Sequence, residues 1–332
     1  MNKTGQILYS MVFSGNGNGP VFVNHKKKQL HMEPLNKNHR NQYALITGAT
    51  SGIGYELAKL FAQDGFNLIL VARNQDRLQQ VTDELKSAYS VEVTPKVKDL
   101  FQPGAAKEIY NEIKAMGVTV DVLVNDAGQG QWGPFLETDL ERDIDIIQLN
   151  IIALLSLTKY FVRDMVVRNE GKILQLGSEA GTTPMPLLSV YAATKAFVLS
   201  FCAALANELQ DTDVTVTVLL PGATDTDFFH KAQQEDTVTY RESKLAPPAE
   251  VARDGYEALM KGESKIISGA KTKMHVFMSD LAGTRGAARN ARKLNEISDK
   301  EKGRTEATHG ASRAERDMVT EQTGSRDGDY KG

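Results

Sequence analysis

Short runs of apolar, often β-branched residues alternate with longer helical segments through most of this 332-residue chain, and this alternation restricts the fold more than any other feature. The predicted strands are Tyr43–Thr47, Asn67–Val71, Val91–Val97, Val120–Asn125, Lys172–Leu176, Val214–Leu220 and Lys265–Ser268. The predicted helices are Ile53–Asp64, Asp76–Ala88, Gly104–Met116, Leu140–Arg168, Tyr191–Leu209 and Pro248–Lys261. Strands that alternate with helices pair in parallel, because each crossover helix covers a face of the sheet. The pattern therefore predicts an α/β fold with helices on both faces of a doubly wound, seven-stranded parallel sheet.

The two ends of the chain differ from this pattern in composition. Residues 1–42 are punctuated by Asn, Gly and Lys, and their apolar patches are too short for a signal-peptide core. Residues 285–332 contain no Phe or Trp and mix charges with Gly, Ser and Thr. We predict a mostly disordered leader over 1–42, one Rossmann-type domain over 43–284 and a disordered charged tail over 285–332. Met32 is a second candidate for the start, and Lys26–Lys28 beside Val21–Val23 leave a basic presequence or membrane-touching arm open.

Composition excludes several classes of function. The net charge of −3 argues against nucleic acid as the main partner. A single cysteine, Cys202, rules out an internal disulfide framework and a CxxC metal site, and it favours a cytoplasmic location. The pair Asp225 and Asp227 lacks further ligands, so we predict no metal. The longest apolar run, Ile151–Leu157, is too short to cross a bilayer, so we predict no membrane span.

A glycine-rich segment, TGATSGIG at residues 47–54, joins the first predicted strand to the first helix. Gly48 permits a tight turn, Gly52 allows the backbone to approach a pyrophosphate, and Gly54 allows close helix–strand packing. The free N–H groups and positive dipole end of the following helix favour phosphate binding. This context predicts a dinucleotide site, whereas Gly15, Gly17 and Gly19 in the leader predict only a loop.

Tyr191 and Lys195, in YAATK, lie four residues apart on a predicted helix and therefore share one face. An ammonium beside a phenol favours the phenolate, so we expect Lys195 to lower the pKa of Tyr191 from its usual value near ~10. Such a group suits the interconversion of an alcohol and a carbonyl. The same spacing also occurs in exposed helical pairs, so the other motifs decide between these interpretations.

Five motifs in order, TGATSGIG, VNDAG (Val124–Gly128), Ser178, YAATK and PGATDT (Pro221–Thr226), resemble the short-chain dehydrogenase/reductase family over Tyr43–Gly269. The resemblance implies catalysis by Asn150, Ser178, Tyr191 and Lys195. In that scheme Ser178 steadies the substrate oxygen, Lys195 also holds the nicotinamide ribose, and Asn150 holds a water that passes protons to Lys195. The family pattern differs here at Asp126, where Asn is usual, and at Gly177, where Ser is common.

The resemblance also implies the cofactor contacts. After the second strand, an acidic residue would favour NAD, whereas an arginine suits the 2′-phosphate of NADP(H). Here Ala72-Arg73 occupies that place. The next carboxylate in the sequence that could oppose Arg73 is Asp76. The implied cofactor residues are Thr47, Gly48, Thr50, Ser51, Gly52, Ile53, Gly54, Arg73, Asp99, Asn125, Ala127, Gly128, Tyr191, Lys195, Pro221, Gly222, Thr224 and Thr226.

The implied function is NADPH-dependent reduction of a carbonyl to an alcohol, or the reverse, on a small and apolar substrate. The substrate-wall candidates are Gln129–Trp132, Pro184–Leu188, Phe228 and Phe229, with a lid over residues 223–246. Helices that carry Asn150 and Tyr191 commonly form subunit interfaces in the family, so we expect a homodimer or homotetramer. The alternatives are a non-catalytic NADP(H) sensor or scaffold, and a different Rossmann enzyme such as a methyltransferase.

Overall fold

A computed structural model of the chain describes residues 10–12, 21–23 and 39–298. The chain divides into two units, residues 1–37 and 38–332. In the first unit, strand β1 (Ser10–Val12) pairs antiparallel with β2 (Val21–Val23). These two strands lie in the leader that was predicted to be mostly disordered. The rest of residues 1–38, including Met32 and Lys26–Lys28, lies outside the described residues.

The second unit contains a seven-stranded sheet in which all strand pairs are parallel, as predicted. Its strands are β3 (Tyr43–Thr47), β4 (Asn67–Ala72), β5 (Val93–Val97), β6 (Val122–Asn125), β7 (Gly171–Leu176), β8 (Val214–Leu220) and β9 (Lys265–Ile267). Its helices are α1 (Gly52–Gln63), α2 (Gln75–Tyr89), α3 (Ala105–Ala115), α4 (Leu140–Ile147), α5 (Leu154–Arg168), α6 (Ser189–Glu208), α7 (Phe228–Lys231), α8 (Val238–Glu242), α9 (Pro248–Lys261) and α10 (Ala270–Asn295).

Two apolar cores cover the two faces of the sheet, which explains why the central strands read as almost continuous apolar runs. On one face, α1, α2 and α9 bury Leu57, Leu85 and Leu259. On the other face, α3 and α5 bury Ile109 and Phe161.

The strand order is β5-β4-β3-β6-β7-β8-β9, so the sheet reverses its direction of winding between β3 and β6. Thr47, the last residue of β3, pairs with Asn125, the last residue of β6. A crevice opens beyond the carboxyl ends of the strands at such a switch point, and ligands of doubly wound sheets bind there. The topology thus places the glycine-rich segment and VNDAG at one edge.

The helix predicted over Leu140–Arg168 is present but is interrupted. A π-helical segment, Gln148–Ala153, lies between α4 and α5. Together with α6, this helix is one of two among the described residues that are long and apolar enough to cross a membrane by length and composition. The prediction that the chain has no membrane span stays a prediction. Both helices nevertheless contribute to the body of the fold, where Phe161 and Val198 are buried.

The carboxyl-terminal boundary at residue 284 also requires correction. Helix α10 continues to Asn295, with a change of direction at Gly283, whose φ is 64°. Ala287, Ala291, Asn295 and Ser298 are buried. The prediction of disorder from residue 285 is therefore wrong up to residue 298, and residues 299–332 lie outside the described part of the chain. The signal was available, because RGAARNARKLN is rich in strong helix formers and repeats small residues at positions 287 and 291.

Candidate active site

A cavity of about 1270 Å³ lies along the carboxyl edge of the sheet. It brings together most of the residues predicted from the sequence to form the site. The predicted residues that line it are Gly48, Thr50, Ser51, Gly52, Ile53, Arg73, Asp99, Ala127, Gly128, Ser178, Tyr191, Lys195, Pro221, Gly222, Thr224 and Thr226.

The glycine-rich turn leaves room for a ligand close to the backbone. Gly48 and Gly52 have φ values of 72° and 60°, a region that L side chains rarely adopt. A Cβ added to Gly54 would lie 2.6 Å from the carbonyl oxygen of Gly48, so this glycine permits the close contact between α1 and the turn. No side chain caps the amino terminus of α1, and its first turn contains no acidic residue. The N–H of Gly54 is engaged by the Asp126 carboxyl, while those of Gly52 and Ile53 are available to an anion such as a pyrophosphate.

Four predicted site residues do not line the cavity: Thr47, Gly54, Asn125 and Asn150. They lie behind its wall. Thr47 Oγ1 accepts hydrogen bonds from the backbone N–H groups of Asp126 and Ala127, both at 3.1 Å. Asn125 Nδ2 donates to Thr158 Oγ1 at 3.1 Å and to Gln175 Oε1 at 3.0 Å. These residues position the backbone that faces a ligand, and their own side chains do not line the cavity.

Arg73 lies at the end of β4, half exposed in the cavity wall. Its Nε is 3.8 Å from Asp99 Oδ1, and its guanidinium lies 4.7 Å from the ring centre of Phe101. The expectation that no carboxylate opposes Arg73 before Asp76 is therefore wrong, because β5 brings Asp99 beside it. Arg77 and Lys98, which were not predicted, line the same end of the cavity.

Tyr191 and Ser178 meet in the middle of the cavity. Both are buried, at 9% and 8% exposure. Burial raises the pKa of Tyr191 to about 12, the nearby Glu179 carboxylate adds to this increase, and a hydrogen bond with Ser178 opposes it. The expected lowering of this pKa by Lys195 is thus absent. Lys195 Nζ lies 5.7 Å from the centre of the Tyr191 ring and donates a 2.7 Å hydrogen bond to the carbonyl oxygen of Leu176.

A buried carboxyl, Asp126, faces Lys195. Burial lowers the pKa of Lys195 to about 8, and the negative charge of Asp126 opposes that change. Burial raises the pKa of Asp126 to about 7, against the effects of Lys195 and of the Gly54 N–H. Asp126 Oδ1 has no hydrogen-bond partner among the described residues. Asp126, which stands where the family usually has Asn, therefore places an ionisable group beneath the glycine-rich turn and near the predicted catalytic Lys195.

Asn150 lies in the π-helical segment, a distortion that often marks functional sites. Its Oδ1 accepts from Gln129 N at 3.0 Å, and its Nδ2 donates to Gln129 O at 2.9 Å and to Thr194 Oγ1 at 3.0 Å. These three bonds fix the loop that follows β6 against the helix that carries Lys195. The predicted proton-passing role of Asn150 stays a prediction, while its contacts indicate that it positions the loop.

Glu179 and helix α10 are parts of the site that sequence reasoning missed. Burial raises the pKa of Glu179 to about 7, and Lys271 together with the Ala223 N–H opposes the shift. Glu179 Oε2 lies 3.8 Å from His275 Nδ1. Lys271, Thr272 and His275 line the cavity from α10. The position of Glu179 directly after Ser178 was the available signal in the sequence.

The end of the cavity beyond Tyr191 is lined mainly by apolar side chains, with Thr239 and Asn295 beside them. Met185, Leu188, Phe228 and Phe229 line it, in agreement with the predicted substrate wall, and the Phe228 ring centre is 4.8 Å from that of Tyr191. Leu294 and Ala291 of α10 complete this wall. Trp132 does not line the cavity, but its Nε1 donates to the Asn295 carbonyl oxygen at 2.7 Å.

Metal binding and the free cysteine are the two remaining points about the site. Among residues 39–298 and the two short strands, no group of three or more His, Cys, Asp or Glu side chains is arranged to hold a metal ion. Cys202 is buried, and burial raises the pKa of its thiol to about 12, which fits the small packed residue that was predicted.

Comparison with known proteins agrees with this geometry. Residues 42–237 match the family model for short chain dehydrogenases. A very-long-chain 3-oxoacyl-CoA reductase from Bos taurus is 36% identical over 186 residues, which is 54% of this chain and 58% of that protein, so the match spans less than two thirds of the relative.

Two solved structures cover more of the chain. A short-chain dehydrogenase from Sphingobium yanoikuyae in complex with NADPH is 27% identical, covers 78% of this chain and 99% of its own, and has a TM-score of 0.65. The closed form of a serine dehydrogenase complexed with NADP+ is 30% identical, covers 68% of this chain and 94% of its own, and has a TM-score of 0.61. The motifs, the sheet order and the family match lead to one conclusion: the chain belongs to the short-chain dehydrogenase/reductase family.

Proposed function

We propose that this protein is an NADPH-dependent oxidoreductase that interconverts the carbonyl and the alcohol of an apolar, non-macromolecular substrate. One observation carries the proposal: Ser178, Tyr191 and Lys195 line the same cavity as the glycine-rich turn and Arg73. Binding of a nucleotide alone does not require a phenol, a hydroxyl and an amine at the far end of the cavity. Proton transfer to or from a substrate oxygen does require such groups.

The residues present fit NADP(H). Gly48 and Gly52, with no Cβ, let a diphosphate approach the backbone beside the first N–H groups of α1. Arg73, with Arg77 in the same wall, offers guanidinium groups to a 2′-phosphate. NADPH, when bound, supplies the hydride. Both named structures that contain NADPH or NADP+ support this choice by similarity.

The protein residues supply the proton and the geometry. Because burial holds the pKa of Tyr191 near 12, its hydroxyl stays protonated at neutral pH and can donate to a carbonyl oxygen that is being reduced. Ser178 is within hydrogen-bonding reach of Tyr191 and can hold the same oxygen. Lys195 is anchored through Leu176, and its Nζ lies 5.7 Å from the centre of the Tyr191 ring, so it lines the cavity beside the proton donor.

The substrate class follows from the wall beyond Tyr191. Met185, Leu188, Phe228 and Phe229 offer an apolar chain a surface that excludes water. The relative named very-long-chain 3-oxoacyl-CoA reductase makes a 3-oxoacyl thioester with a long acyl chain the first substrate to test. We also propose that the protein works as a homo-oligomer in a reducing compartment such as the cytoplasm, which the single buried cysteine supports.

NADPH oxidation measured over 3-oxoacyl thioesters, aldehydes, diketones and steroids tests the proposal. We expect turnover on at least one apolar carbonyl, and Tyr191→Phe should keep NADPH binding while turnover falls by roughly 10³-fold or more. Tyr89→Phe, which removes a phenolic hydroxyl from α2 outside the cavity, is the matched control. Binding of NADPH without turnover on the whole panel would instead support a sensor or scaffold, and full activity of Tyr191→Phe would refute the catalytic assignment.

A further inference from the structure

The first half of α10 carries an apolar stripe on its outer side. Met274, Phe277, Met278 and Leu281 are exposed by 58%, 59%, 53% and 67%. Their spacing of three and four residues places them on one helical face. Single exposed apolar residues are common on protein surfaces, but four large ones in consecutive turns form a continuous patch.

The same helix faces the cavity with other residues. Thr272 lies against Gly222, since a Cβ added to that glycine would come within 2.5 Å of Thr272 Oγ1. His275 is paired with Glu179, which directly follows Ser178. The helix is therefore fixed to the rim of the site by its polar side, and the apolar stripe points away from that contact.

Two lysines lie close to the stripe in sequence. In its first half, residues 270–282, α10 contains Lys271, Lys273 and one Asp, whereas the whole chain has a net charge of −3. Lys271 precedes Met274 by three residues and Lys273 precedes Phe277 by four, so an exposed lysine lies on each flank of the stripe. Long lysine side chains beside an apolar surface can extend toward anionic head groups while their methylenes stay in the apolar layer.

We propose that α10 docks on the surface of an anionic lipid bilayer, with Met274, Phe277, Met278 and Leu281 in the interfacial layer and the flanking lysines at the head groups. This combination of an apolar stripe and basic flanks is that of helices that lie in the membrane interface. Because the opposite side of α10 lines the cavity, docking would hold the protein to the lipid surface by a helix that also belongs to the site. This interaction goes beyond the proposed reaction and does not depend on it.

Flotation of the full-length protein with vesicles tests the proposal. We expect binding to vesicles that contain phosphatidylcholine and phosphatidylserine, weaker binding to phosphatidylcholine alone, and a decrease at high salt. The combined variant Met274→Ser, Phe277→Ser, Met278→Ser and Leu281→Ser should reduce the bound fraction by roughly tenfold. The variant Lys271→Gln with Lys273→Gln should mainly reduce the preference for anionic vesicles.

The matched control changes exposed apolar residues elsewhere: Leu136→Ser with Val167→Ser, which are 96% and 88% exposed. This control should bind vesicles like the unaltered chain. Circular dichroism and thermal unfolding check that each variant is folded, and the lysine variant tests the proposal separately from the apolar one. Three outcomes would overturn the docking proposal. The unaltered protein could fail to bind vesicles, or only the control could lose binding. The third outcome is that the serine variant changes from dimer to monomer by light scattering. The last outcome would assign the stripe to a second copy of the chain.

Discussion

Asp126 is the residue whose chemistry is least expected from its position. It lies beneath a turn suited to a diphosphate, has one oxygen without a partner among the described residues, and faces Lys195. A buried carboxyl lowers the stability of the fold when it ionises, unless a nearby positive charge offsets the loss of hydration. Lys195 supplies part of that charge and thereby becomes coupled to Asp126.

Asp126→Asn tests this coupling through stability. The folded pKa of Asp126 is raised from 3.8 to about 7, so the folded state binds more protons than the unfolded state between these values. The free energy of unfolding of the unaltered protein should therefore decrease as pH rises from about 4 to about 7. The variant should lack this decrease. The free energy of unfolding of the variant minus that of the unaltered protein should therefore increase by on the order of 1–3 kcal/mol between about pH 5 and about pH 8. Urea unfolding at both pH values measures the difference, and an identical pH dependence of the two proteins would contradict the assignment.

Arg73 sets the proposed choice between the two nicotinamide cofactors. Arg73→Ala should raise KM for NADPH by roughly tenfold or more, because a charge-assisted hydrogen bond to phosphate is lost, and should leave KM for NADH nearly unchanged. Arg163→Ala, which removes one exposed positive charge from α5 outside the cavity, controls for the net charge. A preference for NADH that Arg73→Ala leaves unaltered would sink the NADPH assignment.

At the scale of elements, α10 closes the substrate end of the cavity. Its last turn is tied to the preceding loops, because Asn295 O accepts from Trp132 Nε1, and Asn295 Nδ2 donates to the Pro186 carbonyl at 3.1 Å. Thr239 Oγ1 of α8 donates to Leu294 O at 2.8 Å. The segment predicted as a lid, residues 223–246, is thus joined to the end of α10.

Asn295→Ala should loosen this junction. The substitution removes the bond to Pro186 but keeps the backbone carbonyl that Trp132 uses, so we expect a loss of about 1–2 kcal/mol in the free energy of unfolding. KM for an apolar carbonyl should rise severalfold, whereas KM for NADPH should stay the same, since the turn at Gly48 is at the other end of the cavity. Exposed Arg292→Ala is the neighbouring control. An equal rise in both KM values would show that α10 does not act on the substrate end alone.

Periodicity and motif spacing were sufficient for the sheet, its parallel pairing and most of the cavity wall. The chemistry of the turn at Gly48 is local, so a sequence displays it directly. Three features depend on residues far apart in the chain and were not predictable in this way. Asp99 reaches Arg73 through strand pairing, Asn150 lies in a π-helical distortion, and burial rather than Lys195 controls the pKa of Tyr191.

At the scale of the whole molecule, helices α4, α5 and α6 expose large apolar residues. Leu140, Ile144, Ile147 and Val166 are exposed on α4 and α5, and α6 adds Phe197. Exposed residues of this kind are typical of a subunit interface. They lie on the helices that carry Asn150 and Tyr191, so assembly would support both site helices from behind.

We expect the unaltered protein to be a homodimer or homotetramer by light scattering. Ile144→Glu with Ile147→Glu should shift it toward the monomer, because two charges would be buried without partners in the interface. The serine variant of the α10 stripe serves as the control and should keep the same mass. A monomeric unaltered protein at micromolar concentration would contradict the assignment of this surface.

The order of the cavity walls along the chain has a consequence for biosynthesis. The turn at Gly48, the strand ends at Thr47 and Asn125, and the Tyr191 helix all precede α10, which leaves the ribosome after every strand of the sheet. Because nascent chains can fold from the amino terminus as they emerge, the nucleotide half can form while the apolar half still lacks one wall. A nascent chain could thus bind the dinucleotide before α10 has completed the substrate end of the cavity.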